Sequence, residues 1–176
     1  MLLSLDVSTS CTGYCVFDQD ELKDIGYIDL SKHKDFYKKV AYVKAEITKI
    51  TKRFNITHVG IEENLQAFRP GLSSAKTLMT LAQFNGTVRW LCYEMLNIDI
   101  TSINVNAARK IVGLKINRKS SMTTKEQVLS WVKLQENISW PTKVLKSGPS
   151  KGKIRELSAC YDMADAYVIG RAYNKT

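Results

Sequence analysis

The sequence predicts a mixed α/β fold in which an antiparallel three-strand meander feeds parallel strands across helical crossovers. Three observations carry this. Residues 2–30 hold a short apolar run followed by two runs rich in β-branched and aromatic residues, the last two separated by a turn. Beyond them, apolar runs of strand length alternate with stretches whose apolar residues recur every three or four positions. Finally, 176 residues with 44% hydrophobic and 24% charged side chains suit a single domain, 1–176, with enough apolar surface to offset the entropy of ordering the chain.

Residues 2–7 read as a buried strand, and 12–17 and 22–30 complete the meander around the turn Asp18-Gln19-Asp20. Phe36, Val40, Val43, Ile47, Ile50 and Phe54 then fall on one face of an amphipathic helix, with lysines between them. Residues 57–61 form a second buried strand that ends at Glu62-Glu63. After a loop containing Phe68, Arg69 and Pro70, Ser73 is placed to cap a long helix over 74–96. Ala75, Leu78, Met79, Ala82, Val88, Leu91, Cys92 and Met95 keep helical spacing there, and Leu81, Phe84 and Trp90 widen the stripe. So wide an apolar surface suits a central helix or a subunit interface. A strand over 98–103 follows, then a short helix, 106–112, stopped at Gly113. Residues 114–122 read as a basic loop. Thr123 caps a helix over 125–135, 138–155 reads as loop, and a last helix covers 156–173.

Lys and Arg total 26 against 17 Asp and Glu, a net charge of +9. Such an excess points to a polyanionic partner, with nucleic acid ahead of an anionic membrane surface. Its cations concentrate in two segments: Lys115, Arg118 and Lys119 in 114–122, and Lys143, Lys146, Lys151, Lys153 and Arg155 in 138–155, which contains no acid. The plainer reading of both is a solvated charge run. No apolar run approaches the roughly 18 residues of a membrane span. Residues 1–5 reach Asp6 without a basic leader or cleavage site, so a cytoplasmic protein is expected. Cys11, Cys15, Cys92 and Cys160 are scattered, without a C-x-x-C pair, which argues for free thiols and against zinc.

Four acids stand out. Asp6 ends one apolar strand, Glu62 ends another, and Asp162 and Asp165 lie three apart on the last helix and share a face. An acid inside a run such as Leu-Ser-Leu-Asp-Val is costly to bury unless it is paired or binds a metal. Each acid alone reads as a turn, cap or surface residue. Together, converging carboxylates would suit Mg2+ or Mn2+, and two such ions drive phosphodiester hydrolysis. Glu63 competes with Glu62, which is preferred because it directly follows Ile61.

Residues 6–14, Asp-Val-Ser-Thr-Ser-Cys-Thr-Gly-Tyr, resemble the opening of RuvC-type Holliday junction resolvases, where an Asp ends the first strand and Thr-Gly-aromatic starts the second. Gly60-Ile61-Glu62-Glu63 is similar to the second acidic motif of that family, and Asp162-Met163-Ala164-Asp165-Ala166 to its Asp-x-x-Asp-Ala helix. Val112-Gly113 and Lys125-Glu126-Gln127-Val128 resemble the region between. The ordered set covers nearly the whole chain. It implies an RNase H-like sheet and a metal-dependent endonuclease resolving four-way DNA junctions. It also implies Asp6, Glu62, Asp162 and Asp165 as ligands for Mg2+ (or Mn2+), two ions to a site, and Lys125 near the scissile phosphate. Val7-Ser8 stands where the family commonly has Pro-Gly, and the basic stretch 138–155 is long for a bacterial resolvase. Both departures point to a divergent member, of phage or viral origin. The family places an aromatic residue shortly after the second acid; direct register gives Leu65, so Phe68, with Arg69 beside it, is the stacking candidate, against a plain core role for Phe68. Two-fold symmetric cleavage implies a homodimer, assigned to the helix over 74–96, against burial of that helix in a monomer. Two other functions stay open. One is an RNase H-like nuclease acting on flaps, branched replication DNA or structured RNA; the other is a non-catalytic nucleic-acid module. Asp6-Val7-Ser8-Thr9 is also similar to a sugar-kinase phosphate loop, but that fold needs two such domains and glycine-rich adenosine motifs.

Overall fold

The structure, a computed structural model, describes residues 1–63 and 75–175. Within them, five strands form one sheet in the order β3-β2-β1-β4-β5. β1 (Leu2–Val7), β2 (Cys11–Asp18) and β3 (Glu21–Asp29) are the antiparallel meander, and β4 (His58–Glu62) and β5 (Ile100–Ile103) add to β1 in parallel. Five helices flank the sheet: α1 (Phe36–Arg53), α2 (Ala75–Leu96), α3 (Val105–Ile111), α4 (Thr124–Gln135) and α5 (Ala159–Tyr173). A mixed sheet of this kind is what the alternating pattern predicts. Among the described residues no helix is long and apolar enough to cross a membrane.

Strand alternation sends side chains to two cores. Leu3, Leu5, Val59 and Ile61 meet Val43 and Ile47 of α1 and Phe84, Val88 and Leu91 of α2. Leu2, Cys15 and Phe17 face the other way, onto Ala164, Tyr167 and Val168 of α5 with Val128 and Val132 of α4 outside them. Asp6 and Glu62 have the parity of this second face, so burial of Leu5 and Ile61 against α1 and α2 turns both acids toward α5.

Side chains set the helix starts. Asp35 accepts from the Lys38 amide, Asn104 from the amides of Asn106 and Ala107, and Thr123 and Glu126 form a reciprocal capping box at α4. Gly113, at φ +80°, ends the turn after α3.

Two expectations need correction. The segment read as loop over 138–155 contains an antiparallel hairpin, β6 (Thr142–Val144) and β7 (Ile154–Glu156). Consequently α5 begins at Ala159 and not at Glu156, whose backbone pairs with Thr142. Leu81 is only half-buried, and Trp90 on α2 is 62% exposed, so the apolar stripe of that helix is not wholly covered by the sheet.

The helix that carries two of the acids packs unusually close. A Cβ on Gly13 would overlap the backbone carbonyl of Asp162, and one on Gly170 would overlap the Phe17 ring. Between them the Ser4 hydroxyl donates to the Ala166 carbonyl at 2.8 Å. Gly13→Ala therefore forces backbone apart and costs at least the roughly 1–3 kcal/mol typical of overpacking. Gly86→Ala on α2, where nothing lies within 4 Å of the added methyl, gains up to about 1 kcal/mol from helix propensity. Urea denaturation of the two variants measures the contrast.

Candidate active site

β1 and β4 are adjacent and parallel, with Leu5 in register with Ile61, so Asp6 and Glu62 emerge side by side at the carboxyl edge of the sheet. Open α/β sheets place their ligands at that edge. Asp162 and Asp165 reach the same cavity from α5, Lys125 from the first turn of α4, and Arg109 from α3; the cavity holds about 730 Å³. The structure thus brings all five residues read from sequence into one place. Glu63 lines the same cavity, but its Oε2 accepts from the Asn104 amide at 3.3 Å. Glu62 is the acid hydrogen-bonded to Asp6.

Burial dominates the electrostatics. Asp6 and Asp165 are 8% and 6% exposed. Desolvation, then the neighbouring Glu62 carboxylate, raises Asp6 well above the usual carboxyl range, so it is the proton donor to Glu62. Glu62 is raised by burial as well, with the Asp6 hydrogen bond opposing. Burial raises Asp165, against the nearby Arg109 guanidinium, whose Nη2 donates to Oδ1 at 3.2 Å. Lys125 Nζ stands 3.4 Å from Asp162 Oδ1. Burial lowers the Lys125 ammonium, but Asp162, Asp165 and Asp6 outweigh this and raise it. Cys11 donates its thiol to Asp162; burial, then the Asp162 charge, keeps that thiol protonated.

Arg109 and Cys11 were not singled out from sequence. Arg109 sits in a short helix with no acid beside it in sequence, and only the fold carries it to Asp165. Its Nε is buried without a hydrogen-bond partner, so the guanidinium has donor capacity left over.

Hard carboxylate oxygens are the donors that Mg2+ and Mn2+ prefer, so the chemistry of the cluster fits a divalent ion. Among the described residues, however, no three His, Cys, Asp or Glu side chains already stand in ion-holding geometry. Asp162 and Asp165 are instead paired with Lys125 and Arg109, which offset the negative charge.

Of the other residues read from sequence, Lys115, Arg118, Lys119, Lys146, Lys151 and Lys153 are exposed on connecting segments. Phe68 and Arg69, with Leu65 and Ser73, lie outside the described residues.

An RNase H-like sheet with acids gathered at its carboxyl edge is the architecture these elements define, and comparison with solved structures specifies it further. The chain has the RuvC-type fold. RuvC of Thermus thermophilus, solved in complex with Holliday junction substrate, is similar over 98% of this chain and 92% of its own, with a TM-score of 0.60 and 12% identity. A second structure of Thermus thermophilus RuvC gives 0.56 at 13% identity, over 98% of this chain and 93% of that one. The yeast mitochondrial Holliday junction resolvase gives 0.60 at 16% identity, over 99% of this chain and 77% of its own. No protein-family model and no curated protein matches the sequence itself.

The raised carboxyls fix a pH dependence. Asp6, Glu62 and Asp165 bind protons more tightly folded than unfolded. Their contribution to stability is complete below the unfolded value, about 4, and is lost as pH rises through the folded values. Metal-free protein should therefore melt lower at about pH 8 than at about pH 5.5, and Asp6→Asn should flatten the difference. Calorimetry in EDTA checks this; identical profiles for the two proteins would refute it.

Proposed function

We propose that this chain is a metal-dependent endonuclease that resolves four-way DNA junctions. The observation that carries the reading is the convergence of Asp6, Glu62, Asp162 and Asp165 on one cavity bordered by two cations. The fold supports it, being shared with resolvases, one of them solved with a Holliday junction.

In this reading Asp6, Glu62, Asp162 and Asp165 would hold Mg2+ or Mn2+, two ions to a site, and the metal would supply Lewis-acid assistance to phosphodiester hydrolysis. Arg109 fixes the direction of Asp165, while Lys125, at the more exposed side, offsets the charge of the incoming phosphate. Asp6 must give up its proton before both strand-end acids serve as ligands. Lys115, Arg118, Lys119, Lys146, Lys151 and Lys153 hold phosphates of the junction arms, and Phe68 and Arg69 act at its centre.

The dimer is proposed on α2. Met79, Trp90 and Tyr93 are 64%, 62% and 50% exposed there. With Ala82 and Gly86, also exposed, they recur at spacings of three and four along one side of the helix. Two such stripes would cover each other and set two sites about a two-fold axis, as symmetric strand cleavage requires. Sedimentation at micromolar concentration should show a dimer for the wild type and a folded monomer for Trp90→Glu; a wild-type monomer would contradict the assignment.

Cleavage of a labelled four-way junction in Mg2+, beside duplex, flap and RNA–DNA hybrid, tests the function. Paired symmetric nicks in the junction are expected. Asp6→Asn, Glu62→Gln, Asp162→Asn and Asp165→Asn should each lower the rate by about 10²-fold or more, the scale of losing one electrostatic contributor in a catalytic site, with junction binding kept. Cuts confined to flaps or hybrid would make it a nuclease of another substrate, and binding without cleavage would make it a non-catalytic module.

A further inference from the structure

Among the described residues, the β6–β7 hairpin leaves five of its six strand residues exposed, and only Glu156 at its root is half-buried. Register pairs Lys143 with Arg155 and Val144 with Ile154, so alternation puts two cations on one face and two β-branched apolar side chains on the other. Val144 is 58% exposed and Ile154 72%. Lys143 and Arg155 are exposed as well. A directly opposed like-charge pair weakens a sheet, and a two-stranded ribbon without packing is marginal in water. The apolar pair buries little surface, and the electrostatic gain at Arg155 is an attraction to Glu126 that is small at a solvated position.

The ribbon is nonetheless well formed and placed. Its far end is closed by Leu145 N–H to the Lys153 carbonyl at 3.0 Å and by Gly152 N–H to the Leu145 carbonyl at 2.8 Å, with Gly148 and Gly152 at positive φ. Its root is tied down by Leu157 N–H to the Pro141 carbonyl at 2.9 Å and by the Lys133–Glu156 ion pair to α4. The chain runs from β7 directly into Leu157 and Ser158, which line the cavity of the carboxylates.

We propose that the hairpin is a DNA-binding ribbon. It lies along a duplex arm next to the active site, with Lys143 and Arg155 on phosphates and Val144 and Ile154 against sugar and base surface. Charge complementarity selects the partner: residues 138–155 carry five Lys and Arg and no acid. Nucleic acid offers a row of phosphates and apolar base and sugar surface within one ligand. The proposal rests on the nucleic-acid reading above and adds the ribbon's two faces to it.

The test uses the full chain in EDTA with a labelled four-way junction, its affinity followed by anisotropy across a salt series. Lys143→Gln with Arg155→Gln should weaken binding about tenfold and reduce the log–log salt slope by about 1.8, at 0.9 per phosphate. Its melting temperature should stay close to that of the wild type, because the lost repulsion between opposed cations and the lost attraction of Arg155 to Glu126 are both small for exposed cations. Val144→Ser with Ile154→Ser should weaken binding about fivefold and leave the slope unchanged, since apolar contact releases no counterion. If the second variant loosens the ribbon, the first decides alone. A wild type that binds the junction and a charge variant that binds it equally well, with the same slope, would overturn the ribbon and spare the nuclease. A wild type that binds no DNA would overturn both. Charge-variant loss of affinity only for vesicles of anionic lipid, with DNA binding intact, would overturn the ribbon in favour of a membrane surface.

Discussion

At Gly13 the backbone of β2 meets the backbone of α5, and at Gly170 the same helix lies against the Phe17 ring and the Ser4 hydroxyl. No side chain fits between helix and sheet at either point. Because α5 is pinned at both ends, its first turns project Asp162 and Asp165 over the edge where Asp6 and Glu62 emerge. Asp6 is itself the register partner of Gly13. The glycine that admits the helix thus stands next to the acid the helix must meet. A looser seat would leave the strand and helix acids in separate places.

That proximity is electrostatically expensive, and the neighbours show how it is tolerated. Asp6 keeps a proton and gives it in a hydrogen bond to Glu62. Asp165 faces Arg109, and Asp162 faces Lys125 and the Cys11 thiol. The proton and the two cations reduce net negative charge in a cavity where desolvation makes repulsion severe, and the neutral thiol adds a hydrogen bond. Under the proposed metal-dependent reading, an ion entering the site would have to displace the Asp6 proton and compete with the cations that α3 and α4 contribute.

Much of this was legible in the sequence. Strand β1 is a leucine-rich apolar run, β2 to β4 carry β-branched or aromatic residues, and α1 has clear helical spacing, so local pattern and tertiary burial agree. The four acids were legible because each breaks an apolar run or shares a helix face. The distinction between Glu62 and Glu63 follows from strand parity, since Ile61 must point into the core. Arg109 was not legible: its partner lies across the fold, and nothing local marks one arginine in a basic helix. The β6–β7 hairpin was hidden for a different reason. Its strands have three residues each and bury neither face, so the period-2 contrast that reveals a half-buried strand is absent.

The pairing of β1 with α5 also has a consequence for biosynthesis. Asp6 is synthesised well before its helical counterparts Asp162 and Asp165, and the contact between them spans a long stretch of sequence. Non-local contacts of this kind form late, after the entropy of closing the chain has been met. Until α5 emerges and settles on its two glycines, a nascent chain has an acid at the end of a strand and no assembled cluster. The carboxylate cluster therefore assembles only once β1, β4 and α5 have come together.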